Sequence, residues 1–287
     1  MYDQCNICQS LQYMSLVARG PKSHLDKIYL SDKLYWHGYI PFYENFFSSR
    51  DIKIIAEFGV YKGNSIRWLL ERFPGSQIYG ADILPLQPTW PKSENFHFTQ
   101  LDQGDPKQVK FFLKQQTFDL IIEDGSHLVQ HQINCLIEGM ENLAPNGIYI
   151  LEDIQTSRSD HDWWRKPKLH WWKFKEKKKA KNLVKNQHFK KGNALNFLLA
   201  LDHYQRIKVK IDEKVVKLLS INSLFSKDQI VNLAGQIQSI HLYQRNHLPD
   251  MCHQCGSVNF DYINLRCLCG ERVFSDSDSM SFVIVKN

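Results

Sequence analysis

The sequence predicts an α/β fold in which helices cover both faces of a mainly parallel β-sheet. Short apolar segments suited to buried strands alternate with longer segments of helical periodicity, and this alternation is typical of consecutive βαβ units. Acidic residues directly follow several of the apolar segments. Because ligands of open α/β sheets bind beyond the carboxyl ends of the strands, the same pattern indicates a functional site at that edge.

The predicted elements keep this alternation along most of the chain. An aromatic-rich, partly helical segment at 35–47 precedes the sheet. Two late apolar segments, 239–243 and 281–285, are expected to pair as a hairpin at one sheet edge. Strands are predicted near 53–58, 77–82, 96–100, 118–123 and 147–152, and helices near 63–73, 106–115, 128–143 and 193–204.

These elements divide the 287 residues into four predicted parts, and the 43% apolar content allows a sizeable core. The parts are an N-terminal segment (1–50), a sheet core (51–246) with a basic insertion at about 156–192, a cysteine-rich insertion (247–278) and a final core strand (279–287). The apolar stretches are too short to cross a bilayer, and the N-terminal residues lack a secretory h-region. A cytoplasmic protein without a membrane partner is expected, and its oligomeric state, including the option of a homo-oligomer, stays open.

Four residues define the predicted functional site. Asp124 and His127 come after one predicted strand, and Glu152 and Asp153 end the next. They should gather at one edge of the sheet, where carboxylates suit a hard divalent cation and a histidine suits a general base. Taken singly, Asp124 could be a helix cap, His127 an ordinary histidine and the acidic pair a solvated strand end. Their combination favours a site.

A glycine turn after the first strand indicates a nucleotide-like ligand. Glu57, Gly59, Gly63 and Ser65 span a strand end, a turn and a helix start. Glycines let the backbone approach a ligand closely, and a helix N-terminus supplies donors. Asp82 ends the next predicted strand, where it could accept hydrogen bonds from ribose hydroxyls. The alternative is an ordinary βα turn beside an unrelated surface aspartate.

These residues resemble motif I and the following acidic position of class I S-adenosylmethionine-dependent methyltransferases. The sequence Asp-Gly-Ser-His at 124–127, followed by Glu-Asp at 152–153, is similar to the magnesium-dependent sugar O-methyltransferases of macrolide biosynthesis (mycinamicin type) and to the cephalosporin hydroxylase-like group. The segment around Lys33, His37 and Tyr39 also resembles theirs. The resemblance extends from about residue 30 to 155, and resumes weakly at 193–245 and 280–287.

The resemblance implies a Rossmann-like fold and an S-adenosylmethionine-dependent O-methyltransferase of natural-product biosynthesis. Its acceptor would be a small molecule or glycan, methylated on a hydroxyl, chiefly of a sugar. Mg²⁺ would be bound by Asp124, Glu152 and Asp153, with His127 as the general base. Gln155 departs from the family, which commonly has histidine there, and a glutamine cannot titrate. The resemblance assigns contacts with the methyl donor, S-adenosylmethionine, to seven residues: Glu57, Gly59, Gly63, Ser65, Asp82, Asp102 and Gln103.

Six of the seven cysteines lie in close pairs. Paired spacing without a secretory signal favours a metal over disulfides. Cys5 and Cys8 could hold a second zinc, join the C-terminal cluster or have no role, and Cys135 is expected to be buried on a helix. The other four resemble a zinc ribbon that would hold a structural Zn²⁺, with free thiols as the alternative: Cys252, Cys255, Cys267 and Cys269.

A basic aromatic segment at 163–191 leaves further alternatives open. Residues 165–191 carry twelve Lys or Arg and one acid, and four tryptophans lie at 163–172. We favour a substrate lid over a passive solvated insertion. The segment could also bind nucleic acid. The alternative functions are therefore an RNA (ribose or cap) methyltransferase that uses this segment and the zinc ribbon, and a non-catalytic nucleic-acid-binding module. The intact acidic residues and His127 argue against the second.

Overall fold

A computed structural model describes residues 31–158, 161, 191–274 and 279–287. Seven strands form the central sheet, in the order β3-β2-β1-β4-β5-β9-β6, and two short strands, β7 and β8, form a separate ribbon. The strands are β1 Ile54–Phe58, β2 Gln77–Asp82, β3 Phe96–Gln100, β4 Phe118–Glu123, β5 Leu143–Leu151, β6 Ile237–Gln244, β7 Phe260–Asp261, β8 Arg266–Cys267 and β9 Met280–Lys286.

The first five strands are parallel to one another, and β9 is antiparallel to β5 and β6. The predicted parallel sheet and the late hairpin are therefore confirmed, with β6 at the edge. Helices of the described part are α1 Asp32–Tyr35, α2 Tyr39–Phe47, α3 Asn64–Arg72, α4 Pro106–Leu113, α5 Val129–Asn142, α6 Ala194–Arg206, α7 Glu213–Ser220 and α8 Lys227–Gln236, with a 3-10 turn at Ile154–Ser157.

Two helices, α7 and α8, were not predicted, although local signals for them exist. Asp212 caps α7 by accepting a hydrogen bond from the backbone of Val215. Ser226 and Gln229 form a capping box at the start of α8. This Ser-x-x-Gln spacing is a known helix-start pattern, so the sequence itself carries a signal for α8.

Both faces of the sheet are buried, which explains the nearly continuous apolar strands. Along β4, Ile121 packs into a cluster on one face, and Leu120 and Ile122 pack into the cluster on the other. Cys135 is fully buried on α5, as predicted. Each fully buried Leu or Ile side chain contributes about 1.5–3 kcal/mol, so the two clusters hold the strand ends rigidly beneath the site.

The cysteine-rich residues lie between β6 and β9, as expected. The predicted boundaries of the four parts stay a prediction. Cys5 and Cys8 lie outside the described residues, as does the basic segment except for Lys191. Within the described part, no helix is both long and apolar enough to span a membrane.

Candidate active site

The acidic residues lie side by side beyond the carboxyl ends of β1, β4 and β5. Backbone pairing continues past the strand ends, since the amide of Asp124 donates to Phe58 at 3.0 Å and that of Glu152 donates to Glu123 at 2.9 Å. Asp124 does not cap the next helix, because the N-cap of α5 is Leu128. The extended register thus gathers Asp124 and Glu152 at one edge, as the sequence predicted.

Lys33 lies at the centre of this cluster. Its ammonium donates to the carboxylates of Asp124 and Glu152, at 2.6 Å in the case of Glu152, and lies 3.7 Å from Glu57. Its side chain is 1% exposed. Burial opposes the charge, but the neighbouring carboxylates outweigh it and raise the pKa of Lys33 well above its ordinary value. The cluster therefore contains a permanent internal cation.

Sequence reasoning missed this role of Lys33. The sequence marks the residue only as part of a resemblance, and lysine is rarely buried unless it is paired. Its partners Asp124 and Glu152 lie 91 and 119 positions further along the chain. Only the position of Lys33 beside the family-like aromatic segment could have hinted at a function.

His127 lies between two carboxylates on the opposite side of the cluster. Its Nε2 atom is 3.8 Å from Asp124 Oδ1 and 3.8 Å from Asp153 Oδ2. The ligand atoms of these three residues all lie within 4.8 Å of one another. The structure thus brings Asp124, Asp153 and His127 together, whereas Glu152 is turned towards Lys33. One oxygen of Glu152, Oε1, is buried with no hydrogen-bond partner in the described part of the chain.

Unusual backbone conformations aim two of these side chains. His127 and Asp153 have φ angles of 55° and 50°, in the left-handed region that non-glycine residues seldom adopt. Such conformations cost of the order of 1–3 kcal/mol each, and persist where the surrounding structure enforces them at functional sites. The turn at Asp153 directs its carboxylate towards His127, while Glu152 points the other way.

Three polar side chains hold Asp153 in place. Its Oδ1 atom accepts hydrogen bonds from the Tyr39 hydroxyl at 2.7 Å and from Gln155 at 3.1 Å, and His37 lies 3.8 Å away. Burial opposes ionisation, but the nearby histidines and the Tyr39 hydroxyl hold the pKa of Asp153 well below its usual value. Gln155, the residue that departs from the family, therefore orients a carboxylate of the site.

The other carboxylates are short of positive charge. Burial raises the pKa of Asp124 and raises that of Glu152 well above its ordinary value, although Lys33 opposes both shifts. Burial likewise raises the pKa of Glu57 to about 7, against the opposing effects of Lys33 and Ser65. One ammonium does not compensate so many buried carboxylates, so the cluster is suited to a further cation.

A cavity of about 220 Å³ lies between the glycine turn and α1. Gly59, at φ 92°, lies directly against the loop after β4, since a Cβ atom there would lie 2.0 Å from the carbonyl oxygen of Asp124. Glycine therefore lets the loops after β1 and β4 touch. The cavity wall includes Gly59, Ser65, Lys33 and Asp124, and it also includes His253 and Gln254 from the cysteine-rich segment.

Of the residues predicted to contact the methyl donor, Gly59 and Ser65 line this cavity. The others are not among its lining residues and instead make contacts within the fold. Asp82 accepts hydrogen bonds from the backbone amides of Tyr61 and Leu84, both at 2.8 Å. Asp102 accepts one from Gly104 at 2.8 Å. Glu57 accepts one from Ser65, and Gly63 is the N-cap of α3. Gln103 is buried, where it donates to Glu123 and accepts from the amide of Ser126, both at 2.8 Å. That these residues contact the methyl donor stays a prediction.

The four C-terminal cysteines form a compact cluster. Their sulfurs all lie within 4.8 Å of one another, with 3.6 Å between Cys252 and Cys269 and 3.4 Å between Cys255 and Cys267. None of the four forms a disulfide. A disulfide requires about 2.05 Å between sulfurs, whereas tetrahedral zinc with bonds of about 2.3 Å places its sulfurs about 3.8 Å apart. The arrangement therefore suits a tetrahedral metal.

Part of the chain matches a known protein family. Residues 56–154 match a family model described as a methyltransferase domain, which confirms the predicted resemblance. This region contains β1, β4 and β5 and the carboxylates of the acidic cluster. Residues 56–154 are therefore similar to a methyltransferase domain, and the carboxylates of the acidic cluster lie within this matched region.

Particular relatives narrow the resemblance. The 8-demethyl-8-α-L-rhamnosyl tetracenomycin-C 2′-O-methyltransferase of Streptomyces olivaceus is 31% identical over 137 residues, which are 44% of this chain and 36% of that protein. The mycinamicin VI 2″-O-methyltransferase of Micromonospora griseorubida is 29% identical over 154 residues, 47% of this chain and 36% of that protein. The chain thus matches little more than a third of the length of these relatives.

Solved structures support the fold over a larger part of the chain. The MycE methyltransferase of the mycinamycin pathway, in complex with Mg and SAH, aligns with a TM-score of 0.53 and 19% identity over 94% of this chain and 56% of that one. A second crystal form aligns with a TM-score of 0.52 and 22% identity, over 85% of this chain and 59% of that one. These alignments support the α/β fold, in which helices pack on a seven-stranded central sheet.

Proposed function

We propose that the protein is an S-adenosylmethionine- and Mg²⁺-dependent O-methyltransferase that methylates a sugar hydroxyl of a glycosylated metabolite. The observation that carries this proposal is the convergence of Asp124, Asp153 and His127 beside the glycine-turn cavity. The names of the relatives, which are O-methyltransferases of glycosylated natural products, support the substrate class. The Mg and SAH in the MycE crystals support the cofactors.

The residues present fit a magnesium ion. Mg²⁺ prefers oxygen ligands and usually takes only a few carboxylates from the protein, and Asp124 and Asp153 offer adjacent oxygens. The sequence-based assignment adds Glu152, whose buried Oε1 atom has no hydrogen-bond partner among the described residues. Its carboxylate is turned towards Lys33, so it would have to rotate to join these oxygens. Mg²⁺ would then be held by Asp124, Glu152 and Asp153, and when bound it would lower the pKa of an acceptor hydroxyl.

The protein itself supplies the base and the alignment. His127 is assigned to accept the hydroxyl proton at Nε2, the atom that lies between Asp124 and Asp153. Tyr39 and Gln155 orient Asp153, whose Oδ2 atom lies 3.8 Å from that nitrogen. Because the methyl donor is already an activated sulfonium, the remaining task of the site is to align donor and acceptor. The competing role for His127 is that of a metal ligand, since Nε2 lies among the ligand atoms.

The test is methyl transfer from S-adenosylmethionine to rhamnosyl or macrolide acceptors. We expect EDTA to abolish turnover and Mg²⁺ to restore it, whereas full activity in EDTA would refute the metal-dependent mechanism. His127→Ala should lower kcat about 10²–10⁴-fold, with little change in SAH affinity. If His127→Ala instead loses Mg²⁺ binding in calorimetry, His127 is a ligand rather than the base.

We also propose a structural zinc ion at Cys252, Cys255, Cys267 and Cys269. The sulfur spacing supports it, and four protein ligands leave no open position for catalysis. Metal analysis of purified protein should give one zinc per chain, and Cys269→Ser should lower that content. Protein without zinc that keeps four reactive thiols would contradict the assignment.

The RNA-methyltransferase alternative depends on residues 163–191 together with the zinc ribbon, and the nucleic-acid-binding alternative depends on residues 163–191. Of that segment the structure describes only Lys191. No observation in the described residues favours them. Strongly salt-dependent RNA binding that weakens when Lys177–Lys179 are neutralised would revive them.

A further inference from the structure

The turn between Cys252 and Cys255 reaches from the four-cysteine cluster to the cavity. His253 and Gln254 form this turn, and both line the cavity between α1 and the glycine loop. The flanking Cys252 and Cys255 each contribute a sulfur to the cluster. Each cavity-lining side chain is therefore the direct neighbour of a metal-ligand candidate, so the geometry of the cluster sets the position of this part of the wall.

Contacts with the end of α1 hold the turn against the cavity. The ring of His253 meets that of Trp36 nearly edge-on, with centroids 4.2 Å apart and an interplanar angle of 76°. Arg245 donates to the carbonyl of Trp36 at 2.6 Å and to that of Val273 at 3.0 Å. Lys33, whose ammonium joins the carboxylates of the acidic cluster, lies on the same short helix. The cysteine-rich segment therefore packs against the helix that carries Lys33.

This segment, residues 247–274, has little core of its own. Ile263 and Leu268 are 92% and 81% exposed. Units this small usually need a metal or disulfides to remain folded, and none of the four cysteines here forms a disulfide. The buried residues of the segment form one small apolar cluster with the last residue of α1 and its C-cap. This cluster consists of Tyr35, Trp36, Met251, Cys252, Cys267 and Val273.

We propose that residues 247–274 are a zinc-held wall of the donor site, in which His253 and Gln254 contact S-adenosylmethionine and zinc occupancy sets the affinity for it. This inference rests on the proposed methyltransferase function. An imidazole and a carboxamide can both donate and accept hydrogen bonds, which suits the carboxylate and ammonium of the donor's amino-acid end. The N-terminus of α3 at Asn64 lines the same cavity, where helix-start backbone amides can donate hydrogen bonds to the carboxylate.

The test is calorimetric binding of S-adenosylhomocysteine to the full chain. One sample contains zinc, and the other has been stripped by a chelator in reducing buffer and then given Mg²⁺ alone. Loss of two hydrogen bonds corresponds to about a 30-fold weaker Kd, so we expect at least that difference, reversed by added zinc. The double variant H253A/Q254A, which keeps all four cysteines, should weaken binding about 30-fold while retaining one zinc per chain.

Ile263→Ser is the matched control, because this exposed residue lies on the same segment away from the cavity. It should change neither zinc content nor S-adenosylhomocysteine affinity. If the double variant loses zinc, Gln254→Glu, which adds charge with little change in volume, provides the same comparison and should also weaken binding.

The outcomes separate this inference from the proposed function. Equal affinity with and without zinc, or unchanged affinity in the zinc-loaded cavity variants, would overturn the inference alone. If the zinc-loaded wild-type protein binds no S-adenosylhomocysteine, the proposed methyl-donor function itself fails.

Discussion

The acidic cluster and the four-cysteine cluster both gather groups that repel one another when ionised, but they are stabilised differently. The acidic cluster lies on strand ends fixed by two large apolar cores, and it contains an internal cation in Lys33. The cysteine cluster lies in residues 247–274, whose buried core is small. The first site is therefore preorganised by the fold, whereas we expect the second to depend on its metal.

Zinc removal should produce the largest effect and should be local. Structural zinc contributes about 10–16 kcal/mol of binding free energy in isolated zinc fingers. We expect hydrogen-exchange protection in residues 247–274 to be lost after chelation, while β4 and β5 keep theirs. Mg²⁺ removal should leave both regions protected. Equal loss of protection in β4 would show that the two sites are not independent.

Lys33→Met should have the next largest effect. It removes the cation but keeps most of the side-chain volume, leaving buried carboxylates uncompensated, which typically costs about 3–5 kcal/mol. Urea unfolding at pH 7 measures this loss. Lys53→Met is the control, because its ion pair with Asp51 is largely exposed and such pairs contribute about 0–1 kcal/mol. Equal stabilities of the two variants would contradict the role of Lys33.

Glu57 should make stability depend on pH. Burial raises its folded-state pKa to about 7, above the ordinary value of 4.5. The folded protein therefore keeps a proton that the unfolded chain releases between about pH 4.5 and 7, so this residue lowers the free energy of unfolding as pH rises through that window. The shift corresponds to about 3 kcal/mol at most. Glu57→Gln should flatten that part of the stability profile, and an unchanged slope would refute the assignment.

Tyr39→Phe should have the smallest effect. It removes one hydrogen bond to Asp153, worth about 1 kcal/mol, and keeps the buried ring. We expect Mg²⁺ affinity to fall about fivefold with little change in SAH binding, as measured by calorimetry. Phe46→Leu, on the same helix but outside the acidic cluster, is the control. Unaltered Mg²⁺ affinity in Tyr39→Phe would show that Asp153 does not depend on this hydroxyl.

Local sequence patterns were sufficient to locate the strand ends and the acidic residues next to them. The short apolar segments located β1 to β5. The parallel arrangement of these strands placed Asp124 and Glu152 at one edge of the sheet. The spacing of the four C-terminal cysteines likewise predicted a cluster, which the structure brings together. These features could be predicted because strand period and turn chemistry are set by near neighbours in the chain.

The directions in which the side chains point depend instead on tertiary packing. Lys33 joins Asp124 and Glu152 across 91 and 119 positions, and no local pattern encodes such a contact. Glu152 and Asp153 are adjacent in the chain, yet the left-handed backbone at Asp153 sends them to opposite partners. Packing of residues 247–274 on α1 likewise carries His253 into the cavity wall. Side-chain direction and burial arise from packing between distant segments, and hydrophobic period alone cannot specify them because it fixes only the face of each element.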